Sequence, residues 1–207
     1  MPALRAEPRP RRRPRQSRSK DKVEAILDAA DALLVTMPVA DLVLRDVARR
    51  AAVKPATLYD YFATKELLLR ALEDRAWARA AAGAASVIEA ESRDSAPPLD
   101  VAIVRVVETF MTAMAPAAKR LGLTPDSPYG SEQRAVLGAR FAAFAAAALG
   151  SDSRGFREGD LALRMRIATS TVALLTWVGA RDHAAALADG TYGREVGYLI
   201  AHYFVCD

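Results

Sequence analysis

Apolar residues return at helical spacing along almost the whole chain. From Asp21 onward Val23, Ile26, Leu27, Ala30, Leu33 and Leu34 fall at i, i+3, i+4 and i+7, which predicts an amphipathic helix with one buried stripe. Met37-Pro38 ends it, because a residue before proline is pushed out of the α region. Leu44, Val47, Ala48 and Ala51 then share the face of a second, short helix, with Asp41 as its expected N-cap and Arg45, Arg49 and Arg50 pointing away. A third helix is expected to open at Pro55, since proline loses nothing in a first turn whose N–H groups have no intrahelical partner. Thr64 is the expected N-cap of a longer fourth helix through Leu67, Leu68, Ala71 and Leu72 towards Trp77 and Ala81.

The third helix carries aromatic residues on more than one side. In KPATLYDYFATKE, residues 54–66, Leu58 and Phe62 are four apart and can face a helical core. Pro55, Thr57, Tyr59, Asp60 and Tyr61 are left for something outside the protein, with Lys54 and Lys65 at the two ends. Two short helices joined by a tight turn (Ala51-Ala52-Val53) and braced by a helix on either side describe a helix-turn-helix. Such a unit lays its second short helix in the major groove of DNA while the first crosses the backbone.

Beyond residue 82 the pattern stays helical, with no strand alternation. Leu99, Ile103, Val106, Val107, Phe110 and Met114 share one face, with Arg105 and Glu108 outside it. Pro97-Pro98 and residues 123–132 are breaks, an Ala-rich helix with Leu137, Phe141 and Phe144 is expected over 132–149, and residues 150–160 read as a loop. Two helical stretches close the chain, Asp160 to about Asp182 and Thr191 to Val205. The first is apolar nearly all round, which predicts burial against a second copy of the chain through Leu161, Val172, Leu175, Trp177, Tyr198, Leu199 and Tyr203. A four-helix interface about a two-fold axis would result. Phe110, Met111, Met114, Tyr129, Phe141, Phe144 and Met165 are the candidates to line an apolar effector pocket between helices.

Charge sharpens the picture. The chain of 207 residues has a net charge of +4, yet residues 1–20 hold seven Arg and Lys20 against Glu7, a net of +7, so the remainder sums to −3. The basic excess sits in an arm that Pro8, Pro10 and Pro14 are expected to keep extended. Arg11, Arg12, Arg13, Arg15 and Arg18 of this arm are candidates to follow phosphates or enter a minor groove. The lone Cys206 excludes an internal disulfide and a cysteine-based zinc site, and fits a reducing cytoplasm. The longest uncharged apolar stretch, Ile167 to Ala180, is too short to span a membrane, and no apolar segment follows the basic N-terminus as in a secretory signal. A cytoplasmic, soluble protein is the expectation.

RDVARRAAVKPATLYDYFATKELLL, residues 45–69, resembles the signature of the TetR family of bacterial transcriptional repressors, and the likeness covers about residues 20 to 75. The resemblance implies an all-α protein: a basic arm over 1–19, a three-helix helix-turn-helix DNA-binding domain over 20–66, and a helical effector-binding and dimerisation domain over 67–207. It implies that Arg45 reaches a base edge or a phosphate, that Thr57, Tyr59 and Lys65 hold phosphates, and that Pro55, Ala56, Asp60 and Tyr61 face bases. Lys54 joins this DNA-binding set. With no Asn in the chain and Gln only at 16 and 133, bidentate reading of adenine is closed to the helix-turn-helix, and guanine recognition by Arg45 is the expectation.

The chain departs from the family in three respects. Ala52 stands where the turn has glycine, so a left-handed residue there costs about 1 kcal/mol. Val43 and Leu44 replace a capping threonine, and Ala56 replaces a glycine. The implied partners are double-stranded operator DNA, a second copy of the chain and a small, largely apolar effector; no cofactor and no metal are expected. Neither His183 nor His202 has a nucleophile or metal ligand at working spacing, which argues against an enzyme. A constitutive DNA-binding protein without effector is the remaining alternative.

Overall fold

The computed structural model describes residues 15–91, 98–122 and 161–205. These form α1 (Arg15–Leu34), a 3-10 turn (Val39–Asp41), α2 (Leu44–Arg50), α3 (Pro55–Tyr61), α4 (Lys65–Glu91), α5 (Leu99–Leu121), α6 (Leu161–Asp182), α7 (Ala184–Ala188) and α8 (Thr191–Phe204). The fold is all-α, as expected. Tyr129, Phe141, Phe144 and the helix expected over 132–149 lie outside the described residues, as do Arg11, Arg12 and Arg13. The chain divides into two compact units, residues 1–68 and 69–207.

In the first unit α1 packs on α2 and α2 on α3. Ile26, Leu27, Ala29, Ala30, Leu34, Leu42, Leu44, Val47, Ala48, Leu58, Phe62 and Leu68 are its buried apolar residues among those described. Two expectations need correction. The helical pattern was expected from Asp21, whereas α1 starts at Arg15, directly after Pro14, so Arg15 and Arg18 belong to a helix and not to an extended arm. The prolines of the arm all precede that start, and a proline before a helix does not interrupt it. Asp41 closes the 3-10 turn instead of capping α2, whose N-cap is Val43 with no side-chain cap bond. Leu42 lies between them and is buried, which inserts an extended residue before the helix can begin.

In the second unit α5 is the central helix and packs on α6, α7 and, most extensively, α8. By length and composition α5 could cross a membrane, but 61% of its most apolar window is buried within the protein, as in a core helix. Small residues explain the close seating of α8. A Cβ added at Gly197 would lie 2.8 Å from Val104 Cα, and one at Gly193 would lie 3.1 Å from Glu108 Cα. Gly193 and Gly197 therefore let two backbones meet along one seam. Glu108, outside the apolar face of α5 as expected, pairs at the edge of this seam with Arg194 at 3.0 Å. Gly122 ends α5 in the left-handed conformation at φ 60, the usual helix stop.

Candidate nucleic-acid interface

The short helix α3 is placed by its buried side. Leu58 is fully buried and Phe62 nearly so, while Pro55, Ala56, Tyr59 and Asp60 are exposed. Tyr59 keeps half of its surface in solvent. Lys54, in an extended conformation before Pro55, is the N-cap, so the helix opens on its proline as the sequence predicts. Thr57 is half-buried. One face of α3 thus holds the helix to the unit and the opposite one presents Pro55, Ala56, Tyr59 and Asp60 together.

The turn from α2 to α3 carries the one left-handed non-glycine among the described residues, Ala52 at φ 54. Val53 N–H donates to the Ala48 carbonyl at 3.0 Å and closes this turn. The geometry that glycine would adopt freely is therefore imposed on an alanine by its neighbours. Arg45, in the first turn of α2, is exposed, as are Arg49, Arg50 and Lys54; Arg49 is paired with Asp46 at 2.8 Å.

Two polar contacts tie the short helices to the long ones, and neither was visible in the sequence. Lys65 Nζ donates to the Ala40 carbonyl at 2.9 Å. The Tyr61 and Ser19 hydroxyls share a hydrogen bond at 3.0 Å, so Tyr61, expected to face bases, is half-buried and spends its hydroxyl on α1. At the start of α4 Leu67 N–H donates to Thr64 Oγ1 at 3.3 Å, the cap expected of that threonine. The Glu66 backbone N–H and the Thr64 hydroxyl hold the Glu66 carboxyl below the usual carboxylate range.

The chain matches the family model described as "Bacterial regulatory proteins, tetR family" over residues 26–72. It is 32% identical over 198 residues to the HTH-type transcriptional regulator EthR of Mycolicibacterium smegmatis, covering 94% of this chain and 87% of that one. The chain belongs to the TetR family. Similar solved structures include a TetR-family regulator from Streptomyces coelicolor, with a TM-score of 0.59 and 24% identity over 89% of this chain and 96% of that one. NalD of Pseudomonas aeruginosa, the secondary repressor of the MexAB-OprM multidrug efflux pump, superposes with a TM-score of 0.57 at 18% identity, over 92% and 99% of the two chains. This TetR-family chain is accordingly a DNA-binding transcriptional regulator with an N-terminal helix-turn-helix and a helical C-terminal region.

Within the second unit of this regulator lies a cavity enclosing about 60 Å³ of free space. Trp77, Ile103, Val106, Val107, Phe110, Met165, Ala168, Thr169, Val172, Ile200 and Phe204 line it. Of the expected effector residues, Phe110 and Met165 reach it; Met111 and Met114 are buried elsewhere in the core. Val172, expected at a dimer interface, lines the cavity. Trp77, which the sequence pattern marks only as a helix residue, lines the cavity beside Phe110, with the two rings 5.2 Å apart. Thr169 carries the one hydroxyl among the described lining residues, and it is turned back to donate to the Met165 carbonyl at 2.8 Å.

The other expected interface residues separate into two groups. Tyr198 and Leu199 are about half exposed, and Leu163, Ile167 and Leu174 on α6 are exposed with them. Leu175, Trp177 and Tyr203 are half-buried, and Leu175 and Tyr203 pack against the core of their own unit. Arg181 lies over the Trp177 ring at 4.3 Å. The side chain of Leu161 lies outside the described set.

Proposed function

We propose that this TetR-family regulator is a repressor that covers a palindromic operator as a homodimer and is released by a small, largely apolar effector. The observation that carries the reading is the exposed face of α3: Pro55, Ala56, Tyr59 and Asp60 in solvent, on a helix fixed by Leu58 and Phe62. In this reading Arg45 reads guanine, Thr57, Tyr59, Lys54 and Lys65 hold phosphates, and Pro55, Ala56 and Asp60 lie towards the bases. Arg15 and Arg18, with Arg11, Arg12 and Arg13 before them, add phosphate contacts from the N-terminal side.

Two copies are needed because one seven-residue helix reads too few base pairs for a specific site, and a two-fold dimer doubles the contact. The exposed Leu163, Ile167, Leu174, Tyr198 and Leu199 supply an apolar strip suited to that contact. The cavity offers almost no polar surface, so it favours an uncharged ligand over an anion or cation. Such a ligand releases DNA only by binding one arrangement of the protein more tightly than the other. Selection from a random duplex library at physiological salt tests the proposal. Enrichment of a palindrome supports it; binding that falls with salt but enriches no sequence contradicts it.

A further inference from the structure

The buried stripe of α1 runs back from Leu34 through Ala30, Leu27 and Ile26 to half-buried Val23. Ser19, four residues earlier, continues the same stripe by one more turn. There its hydroxyl lies 3.0 Å from that of Tyr61, in a part-buried position. Tyr61 is the last residue of α3 and stands at the margin between buried Leu58 and Phe62 and exposed Tyr59 and Asp60. A rigid ring anchored at its far end on another helix fixes the rotation of α3 about its own axis. That matters for a helix of seven residues with no side-chain cap bond at its start, in which Leu58 and Phe62 are the buried anchors.

We infer that Ser19 is a positioning residue for operator reading, acting through its hydrogen bond to Tyr61 to set the angle at which α3 presents Tyr59, Asp60 and Ala56. The inference rests on the reading of α3 as the DNA-contacting helix. It also assigns the Tyr61 hydroxyl to α1 and not to DNA. Ser19 lies between Arg18 and Lys20, so the same bond fixes α3 beside the first turns of the helix that continues from the basic arm.

The test is a double-mutant cycle on the full chain, with operator affinity measured well below the unfolding temperature. Ser19→Ala and Tyr61→Phe should each weaken operator binding about three- to tenfold, the worth of one such hydrogen bond. The double variant should lose no more than either single one, because both changes remove the same bond. Ser19→Thr should restore affinity, and the salt slope should stay as in the parent protein, since no phosphate contact is lost. A loss with Tyr61→Phe alone, additive losses, or unchanged affinity in both single variants would each overturn the inference. Failure of the parent protein to select any operator would instead overturn the reading of α3 beneath it.

Discussion

Lys65 Nζ donates a 2.9 Å hydrogen bond to the carbonyl of Ala40, and so the first residue of α4 is tied to the 3-10 turn that leads into α2. The ammonium has two further N–H donors, enough to hold a phosphate while keeping that bond. Lys65→Ala should therefore have two consequences. Unfolding free energy should fall by about 0.5–1.5 kcal/mol, for the lost bond. Affinity for operator and for a scrambled duplex should fall by the same factor, because a phosphate contact carries no sequence information. Fluorescence anisotropy on both duplexes measures this, and a changed specificity ratio would mean that Lys65 reaches bases.

Ala52 holds a left-handed conformation that costs an alanine about 1–2 kcal/mol, offset in part by its smaller chain entropy when unfolded. Ala52→Gly should raise the unfolding free energy by about 0.5–1 kcal/mol in denaturant titration. A lower midpoint would mean that the alanine methyl makes packing contacts worth more than the strain.

The legible part of the fold was the part written in period. The apolar stripes of α1, α2 and α5 gave their buried faces directly, since Ile26, Val47 and Ile103 sit at helical spacing and end up buried. Leu58 and Phe62 likewise named the inner side of α3, and the positive φ of Ala52 was signalled by the resemblance, since the family has glycine at that place in the turn. Contacts between residues far apart left no trace in local pattern: Ser19 with Tyr61, Lys65 with Ala40, and the cavity wall that joins Trp77 to Phe110. Asp41 misled because a capping residue type says nothing about whether Leu42 must be buried first.

Two glycines at helix–helix contacts should respond in opposite directions. Gly197→Ala puts a methyl 2.8 Å from the Val104 backbone, which cannot step aside, and should cost about 1–3 kcal/mol. At Gly83 in α4 a methyl would meet only Thr109 Cγ2, at an ordinary 3.6 Å. Gly83→Ala should therefore stabilise by up to about 1 kcal/mol through helix propensity. Thermal unfolding of the two variants checks the pair, and a stable Gly197→Ala protein would contradict the seating of α8 on α5.

The exposed strip of α6 and α8 makes a separate prediction. Leu199, with more than half of its surface exposed, contributes little to its own unit. Leu199→Glu should leave the unfolding midpoint nearly unchanged in dilute solution of the monomer, yet place unpaired charge in any two-fold contact formed there. Sedimentation velocity should show a shift from dimer to monomer, with operator affinity falling at least tenfold. An unchanged dimer would move the interface elsewhere.

The central claim is that the exposed face of α3 reads sequence, and selection from random duplexes tests it most directly when run side by side on the parent protein and on Asp60→Ala. Asp60 is exposed and outside the buried set, so the substitution leaves the fold intact. The account predicts a palindrome from the parent protein and, from Asp60→Ala, the same palindrome with altered preference at one position in each half. An identical motif from both proteins, down to every base, would contradict the placement of this face against the bases.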